Sequence, residues 1–283
     1  MEFQKNNKKI INAWCFYDWS NSVYSLVITC GVFPIYYQNV TTIKESNGLI
    51  LKDTVSFFGF EIINSALYSY LLSFSFLIIA ALSQLLSSIA DYSGSKKLFM
   101  RIFCYIGAVS CTALYFFTPD TLTFSMLMFV TASIGFSGSI VFYNAYLPEI
   151  ASEEIQDRVS AKGFAMGYIG SIILLVFNLS MILFPGVYGI SSAGMATRIS
   201  FLTVGLWWFG FAQYTFKYLP SNIYNKKPEG QFLFNGFKKL GLILRDLKSQ
   251  KLLKTFLIAF FFYNMGVQTV LYLATIFGDK ELG

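Results

Sequence analysis

Histidine is absent from this chain, and charged residues are scarce. Because none of the 283 residues is histidine, metal sites of the common histidine-containing kinds and imidazole-based proton relays are excluded. Only 13% of the residues are charged, against roughly a quarter in soluble domains. Hydrophobic residues make up 55% of the chain and the mean hydropathy is +0.57. This composition is typical of a membrane protein.

Several chemical signatures are missing as well. The sequence has no P-loop, which excludes direct ATP drive by this chain, and no constellation of paired carboxylates or metal ligands. We therefore predict no enzyme activity, no metal site and no cofactor. The net charge of +6 is spread over many loops, which argues against a nucleic-acid partner. Four cysteines without C-x-x-C spacing are predicted to be packing residues: Cys15, Cys30, Cys104 and Cys111.

Seven stretches lack any Asp, Glu, Lys or Arg for at least 18 residues, about the length that crosses the hydrocarbon core. They predict an all-α integral membrane protein with seven spans, the first helix beginning near Trp14 and the fifth ending near Pro185 and Gly186. The stretches are Trp19 to Ile43, Ile62 to Ala90, Ile102 to Pro119, Thr121 to Pro148, Gly163 to Thr197, Ile199 to Phe216 and Thr255 to Gly278.

The basic residues predict an orientation, because Lys and Arg favour the cytoplasmic side of a membrane. With the N-terminus inside, 17 of the 21 Lys and Arg residues fall on inner segments. We therefore expect a multi-pass protein of the plasma (inner) membrane with a cytoplasmic N-terminus and membrane lipid as its surroundings.

A polar, basic segment divides the chain. We expect residues 1–217 to form an N-terminal six-helix half, 218–252 a cytoplasmic linker, and 253–283 the seventh span and start of an incomplete C-terminal half. Apolar residues at helical spacing in the linker predict an amphipathic helix, which either lies on the inner membrane surface or packs as a solvated helix on protein. These residues are Phe234, Phe237, Leu240, Leu244 and Leu247.

Polar residues inside three spans project onto one face of each helix. Because buried polarity is costly in lipid, such faces are expected to line a shared aqueous path or to meet partner helices. The first span has Asp18, Asn21, Ser22, Ser25 and Thr29, the fourth Ser133, Ser137 and Asn144, and the seventh Asn264, Gln268 and Tyr272. Our candidates for the substrate path are Asp18, Asn21, Ser25, Ser137, Asn144, Asn264 and Gln268.

Asp18 is the sharpest of these candidates, since a carboxylate within a span costs on the order of 3 kcal/mol at the bilayer centre. It is expected either to bind a cationic group or carry a coupling proton, or else to complement a helix N-terminus or stay hydrated near the inner end of the span.

The predicted inner loop Ser87 to Lys97 contains a charged turn with Asp91, Gly94, Lys96 and Lys97. It resembles the conformational loop motif of the major facilitator superfamily. Within this loop, Ser87 stands in place of the first glycine of that motif and Tyr92 in place of its arginine.

Three further stretches, residues 16–22, 142–149 and 157–168, resemble the vacuole-effluxer-like (autophagy-related effluxer) branch of that superfamily. The resemblance covers essentially the whole chain. It implies the major facilitator fold, with twelve spans in two six-helix halves and the substrate held between them. On that basis this chain lacks about five helices and is truncated after its seventh span.

The resemblance implies a secondary active transporter that moves a small solute by alternating access, with amino acids among the candidates, since eukaryotic relatives export them from the vacuole. Proton antiport is not supported, because the arginine and proline patterns of proton-coupled members are missing, and Gly163, Gly167 and Gly170 instead predict close helix packing. Two alternatives remain: a truncated fragment or half-transporter that needs the missing C-terminal half as a partner, and, with less support, a membrane-embedded enzyme.

Overall fold

The computed structural model of the protein describes residues 5–44, 50–93, 96–221, 245 and 250–281. Over these residues the fold is α-helical, with two short hairpins between the second and third helices. Its α-helices are α1 (Lys8–Val23), α2 (Phe33–Thr41), α3 (Asn64–Ser93), α4 (Lys96–Ala113), α5 (Leu122–Ile150), α6 (Glu153–Leu183), α7 (Ala193–Tyr218) and α8 (Lys251–Glu281). Each of the seven charge-free stretches is mostly helical, and the predicted fold class is confirmed.

Among the residues that the structure describes, four helical stretches are long and apolar enough to cross a membrane by length and composition. They are Asn64–Ser83, Lys96–Phe116, Pro119–Ile150 and Glu153–Leu183. The predicted stop after the fifth span is confirmed, because α6 ends at Leu183 and a 3-10 turn over Pro185–Tyr188 follows.

The first span is one helical rod with a π-helical middle, from α1 through Tyr24–Val32 to α2. It begins earlier than predicted. The Asn7 side chain accepts the backbone N–H groups of Lys9 at 2.9 Å and Ile10 at 3.4 Å, so the helix starts at this N-cap rather than near Trp14. The π segment joins α2 just before Pro34, whose missing N–H is tolerated in the first turn of a helix.

Two antiparallel hairpins connect α2 to α3: β1 (Ile43–Lys44) with β2 (Ile50–Lys52), and β3 (Thr54–Phe57) with β4 (Phe60–Ile63). The second leads directly into α3 at Asn64. This buried side chain donates to the hydroxyls of Thr41 at 3.0 Å and Thr42 at 2.9 Å, which fixes the hairpins against the end of α2.

The bundle has two ends that are named here by their contents. The hairpin end carries the hairpins and the connections α4–α5 and α6–α7. The basic end carries the start of α1, the start of α4, the α5–α6 connection and the end of α7, and its contacts include Lys5 Nζ to the Pro148 carbonyl at 2.9 Å. Asn6, with a left-handed φ of 66°, exchanges hydrogen bonds there with the turn at Ile150 and Ser152.

Glycines bring α4 and α5 into direct backbone contact. A Cβ at Gly135 would lie 2.5 Å from the backbone N and 2.6 Å from the Cα of Gly107, so no other residue fits there without moving a helix. In the adjoining core, Phe33 stacks on Phe129 with ring centroids 4.5 Å apart.

Helix α3 extends further than the sequence predicted. It continues to Ser93, so Asp91 belongs to its last turn instead of following the helix. Gly94 and the amphipathic helix predicted for the linker lie outside the described residues. The division at residues 217 and 252 stays a prediction, although α7 ends at Tyr218 and α8 begins at Lys251.

Candidate functional site

A cavity of about 440 Å³ lies beside Asp18, between the first span, α5, α6 and α8. Its polar lining consists of Asp18, Asn21, Ser22, Ser25, Ser171 and Gln268. Four of the seven predicted path residues are thus brought together around one space. A cavity with polar side chains in its wall, inside a membrane bundle, is the kind of place where solutes bind or pass.

The Asp18 carboxylate is anchored by a tyrosine that the sequence had not singled out. Tyr143 on α5 donates its hydroxyl to Asp18 Oδ2 at 2.7 Å, and the Asp18 residue is 6% exposed. The Tyr143 ring stacks on Trp14, with centroids 4.1 Å apart and planes 9° apart, and Trp14 Nε1 donates to the Tyr143 carbonyl at 2.9 Å. The acid is therefore held from its protein side in a fixed orientation.

The glycines of α6 allow that helix to pack directly over the acid. A Cβ at Gly163 would lie 2.6 Å from Asp18 Oδ2 and 2.9 Å from the Tyr143 hydroxyl, while one at Gly167 would lie 2.5 Å from Ser22 Oγ. The prediction of close packing at these glycines is confirmed. They also account for the burial of Asp18, because any larger residue would push α6 away from α1.

Asn21 lies one helical turn beyond Asp18 and is 1% exposed. Its Oδ1 accepts a hydrogen bond from Ser22 Oγ at 3.3 Å, but its Nδ2 has no hydrogen-bond partner within the described residues. Buried amide donors are rarely left unpaired, so a water or a bound solute is expected to meet this group. The first span thus places a carboxylate and a buried amide group beside the cavity, one turn apart.

The remaining cavity wall is apolar and aromatic. Its side chains come from the π segment, from α5 and from α6, and no Lys or Arg is among the lining residues that the structure describes. Phe164 and Tyr168 remain 63% and 65% exposed, so their rings are available to a solute. These lining residues are Leu26, Cys30, Phe136, Ile140, Phe164 and Tyr168. The wall suits a solute with a cationic group and an apolar body.

Three predicted path residues lie outside this cavity. On α5 the face turned to the first span carries Phe136, Ile140 and Tyr143, at helical spacing, so Ser137 and Asn144 point elsewhere and Asn144 is exposed. Asn264 is exposed on α8, one turn before Gln268.

The π segment changes which side of the first span faces the cavity. Thr29 was predicted on the polar face, but it is 2% exposed within the core, and Cys30 lines the cavity in its place. A π-helix has more residues per turn than an α-helix, so the side chains of this segment point in directions that a regular α-helical projection does not predict. Cys15, Cys104 and Cys111 are buried, in keeping with their predicted packing role.

At the basic end, the two loop-motif lysines join α4 to other helices. Lys96 Nζ forms a 2.7 Å ion pair with Glu149 Oε1 on α5, and both side chains are 13% exposed. Lys97 Nζ donates to the Leu219 carbonyl just after α7, at 2.7 Å. The motif lysines therefore tie the start of α4 to the ends of α5 and α7. The Asp91 side chain lies outside what the structure describes.

Comparison with known proteins gives a family match over residues 6–283, to the family described as "Vacuole effluxer Atg22 like". The chain is 36% identical over 274 residues to the uncharacterized MFS-type transporter YxiO of Bacillus subtilis, covering 96% of this chain and 60% of that protein. It is 20% identical to autophagy-related protein 22 of Coccidioides immitis, over 98% of this chain and 60% of that protein. No solved structure matches the chain.

These comparisons correct one expectation and set one limit. The expected plasma (inner) membrane location was wrong, because the family that matches the chain is described as vacuole effluxer Atg22-like and the relatives from Coccidioides immitis and Penicillium rubens are autophagy-related proteins. The chain spans about 60% of the length of the first two relatives named above.

Proposed function

The chain belongs to the vacuole effluxer Atg22-like family of the major facilitator superfamily, and from that premise we propose that the complete protein is a secondary active transporter. It moves a small solute across a membrane by alternating access around a cavity at the middle of the bundle. The observation that carries this proposal is the cavity beside Asp18, where a buried carboxylate, an unpaired amide donor and exposed aromatic rings meet. No enzyme activity is proposed.

Amino acids fit the chemistry of this wall best. An ammonium group would be met by the Asp18 carboxylate, and the solute's carboxylate, two bonds from the ammonium nitrogen, would lie toward the Asn21 amide one helical turn along. Phe136, Phe164 and Tyr168 would cover an apolar side chain. We therefore propose neutral amino acids with apolar side chains as the first substrates to test.

Asp18 has two roles open to it in this proposal: it binds the cationic group of the solute, or it carries a coupling proton. Tyr143 holds only one of its oxygens by a hydrogen bond, and Asp18 is itself a lining residue of the cavity. Both roles require an ionisable group at this position, so both are lost when the carboxyl becomes an amide.

The ion pair at the basic end supports a second part of the proposal. Lys96, Glu149 and Lys97 fasten α4, α5 and α7 together where a rocking half would have to move as one body. We propose that these contacts keep the basic end of the half rigid during transport.

Transport measurements on Asp18→Asn test the proposal. Proteoliposomes containing the complete protein are loaded with unlabelled leucine and exposed to labelled leucine across pH, with Asp120→Asn as the control because Asp120 is exposed at the hairpin end. We expect exchange by the parent and by Asp120→Asn at every pH. Loss of exchange in Asp18→Asn supports binding of the solute's cationic group, whereas retained exchange with loss of uptake driven by a pH gradient supports the coupling-proton role. Full transport by Asp18→Asn would overturn the role given to Asp18.

A second candidate function is a half-transporter that acts only with a further C-terminal half. The same assay separates the two: exchange by this chain alone contradicts the need for a partner, whereas exchange only after adding the C-terminal portion supports it.

A further inference from the structure

The turn of the second hairpin carries phenylalanine at three of four consecutive positions, Phe57, Phe58 and Phe60. Phe58 is 66% exposed and Phe60 is 72% exposed, whereas Phe57 packs partly against the core. Large apolar side chains clustered at an exposed tip mark a surface that meets a partner or a membrane. The hairpin takes no part in the cavity described above.

The backbone of this turn makes the choice of phenylalanine unusual. Phe58 has a φ of 49° and Gly59 a φ of 85°, so both central residues of the two-residue turn are left-handed. Such turns favour Asn or Gly at the first position, because a Cβ is disfavoured there. The chain places an exposed aromatic ring where the local geometry favours asparagine, which indicates that the ring itself serves a purpose.

The hairpin lies beside the first turn of α5 and leads into the start of α3. Thr54 and Ser56 of β3 share a surface cavity with Leu122 and Thr123, in the first turn of α5. At its other end β4 continues without a break into α3.

The exposed apolar surface also continues from the hairpin into α3. Ile63, the last residue of β4, is 48% exposed, and Tyr70, Phe74 and Leu77 follow at helical spacing with exposures of 67%, 53% and 68%. Asn64–Ser83 is apolar enough to cross a membrane, so this side of α3 faces hydrocarbon unless protein covers it. The phenylalanines extend that surface toward the boundary of the bilayer.

We propose that Phe58 and Phe60 insert into the lipid boundary at the hairpin end and anchor the connection between the first two spans there. Apolar side chains at such a boundary bury themselves about 5–10 Å below the headgroups. The charged pair Lys52 and Glu61, 3.8 Å apart and more than half exposed, stays among the headgroups and water. The partner is thus a lipid surface, and the proposal is independent of the transported solute.

Site-specific fluorescence in vesicles tests the insertion. Phe58→Cys and Phe60→Cys, each leaving the other phenylalanine in place, are labelled with an environment-sensitive dye in phosphatidylcholine vesicles with and without nitroxide-labelled lipid. Ser56→Cys is the matched control, because Ser56 is an exposed polar residue on the same hairpin. The unmutated chain, whose four cysteines are buried or half-buried, serves as the labelling blank.

We expect blue-shifted emission at positions 58 and 60 and quenching by nitroxide lipid at a depth of about 5–10 Å, with water-like emission at position 56. Water-like emission at all three positions would overturn the proposal. So would a blue shift without quenching by lipid, since the tip would then be covered by protein, such as a further part of a longer polypeptide.

A second variant guards against damage from the cysteine changes. Phe58→Asn suits the left-handed turn and should leave thermal stability unchanged. Combined with Phe60→Cys and the dye at position 60, this change removes the remaining phenylalanine of the anchor and should lose most of the lipid quenching that Phe60→Cys alone shows. Undiminished quenching would contradict the role of Phe58.

Discussion

Replacing Tyr143 with phenylalanine removes one hydroxyl and leaves almost everything else in place. The ring keeps its stacking on Trp14 at 4.1 Å, and the backbone carbonyl still accepts from Trp14 Nε1. What disappears is the 2.7 Å hydrogen bond to Asp18 Oδ2. Because Asp18 is 6% exposed, water can replace the lost donor only from the cavity side.

The expected cost follows from the kind of bond that is lost. A hydrogen bond to a charged group contributes about 1.5–3 kcal/mol, and a neutral one about 0.5–1.5 kcal/mol. Tyr143→Phe should therefore destabilise the parent by about 2 kcal/mol and the Asp18→Asn variant, whose amide oxygen accepts only a neutral bond, by about 1 kcal/mol. The difference, about 1 kcal/mol, is the coupling free energy between the Tyr143 hydroxyl and the charge of Asp18.

Thermal unfolding of the parent, Tyr143→Phe, Asp18→Asn and the double variant, all in one detergent, measures these values. For chains of comparable size, 1 kcal/mol corresponds to a shift of roughly 2–4 °C, so Tyr143→Phe should lower the Tm of the parent by about 4–8 °C and that of Asp18→Asn by about half as much. Equal shifts in both backgrounds would refute the reasoning, since the hydroxyl would then stabilise the fold independently of the carboxylate.

Two further predictions concern packing and charge away from the cavity. Gly135→Ala should destabilise by about 1–3 kcal/mol because its Cβ meets helix backbone, whereas Gly210→Ala, with open space around it, should be neutral or slightly stabilising in the same melts. Glu149→Gln should lower the Tm through loss of the partly buried ion pair with Lys96. The difference in Tm should persist at high salt, whereas high salt would abolish it if the pair were a screened surface contact.

The helices could be predicted because their signal comes from bilayer thickness. A charge-free stretch of the right length is helical in lipid, since every backbone group must be satisfied within the segment. The close-packing glycines of α6 followed from the same reasoning, because residues 163, 167 and 170 recur on one helical face. The hairpins between α2 and α3 left no comparable pattern and were not predicted.

The orientation of individual polar residues was harder to predict. A serine in a helix can satisfy its hydroxyl on its own backbone, as Ser139 does by donating to the Phe136 carbonyl at 2.8 Å, so a polar residue need not face a cavity. A polar face at Ser137 and Asn144 was predicted on the reasoning that polar side chains face a cavity or a partner helix. In the structure α5 instead turns Tyr143 toward Asp18. The spacing of Phe136, Ile140 and Tyr143 was the available signal for that face.

The π segment makes the first span tolerant of a change that other spans would not accept. In a regular helix, deleting one residue rotates everything beyond it by about 100° and turns the wrong side chains toward the core. Between Asp18 and Pro34 a deletion can instead be absorbed by converting a π turn to an α turn, which leaves both halves of the span facing as they do now. A relative that lacks one residue in this stretch is therefore expected to have a regular α-helix there, with the same side of the span facing the cavity.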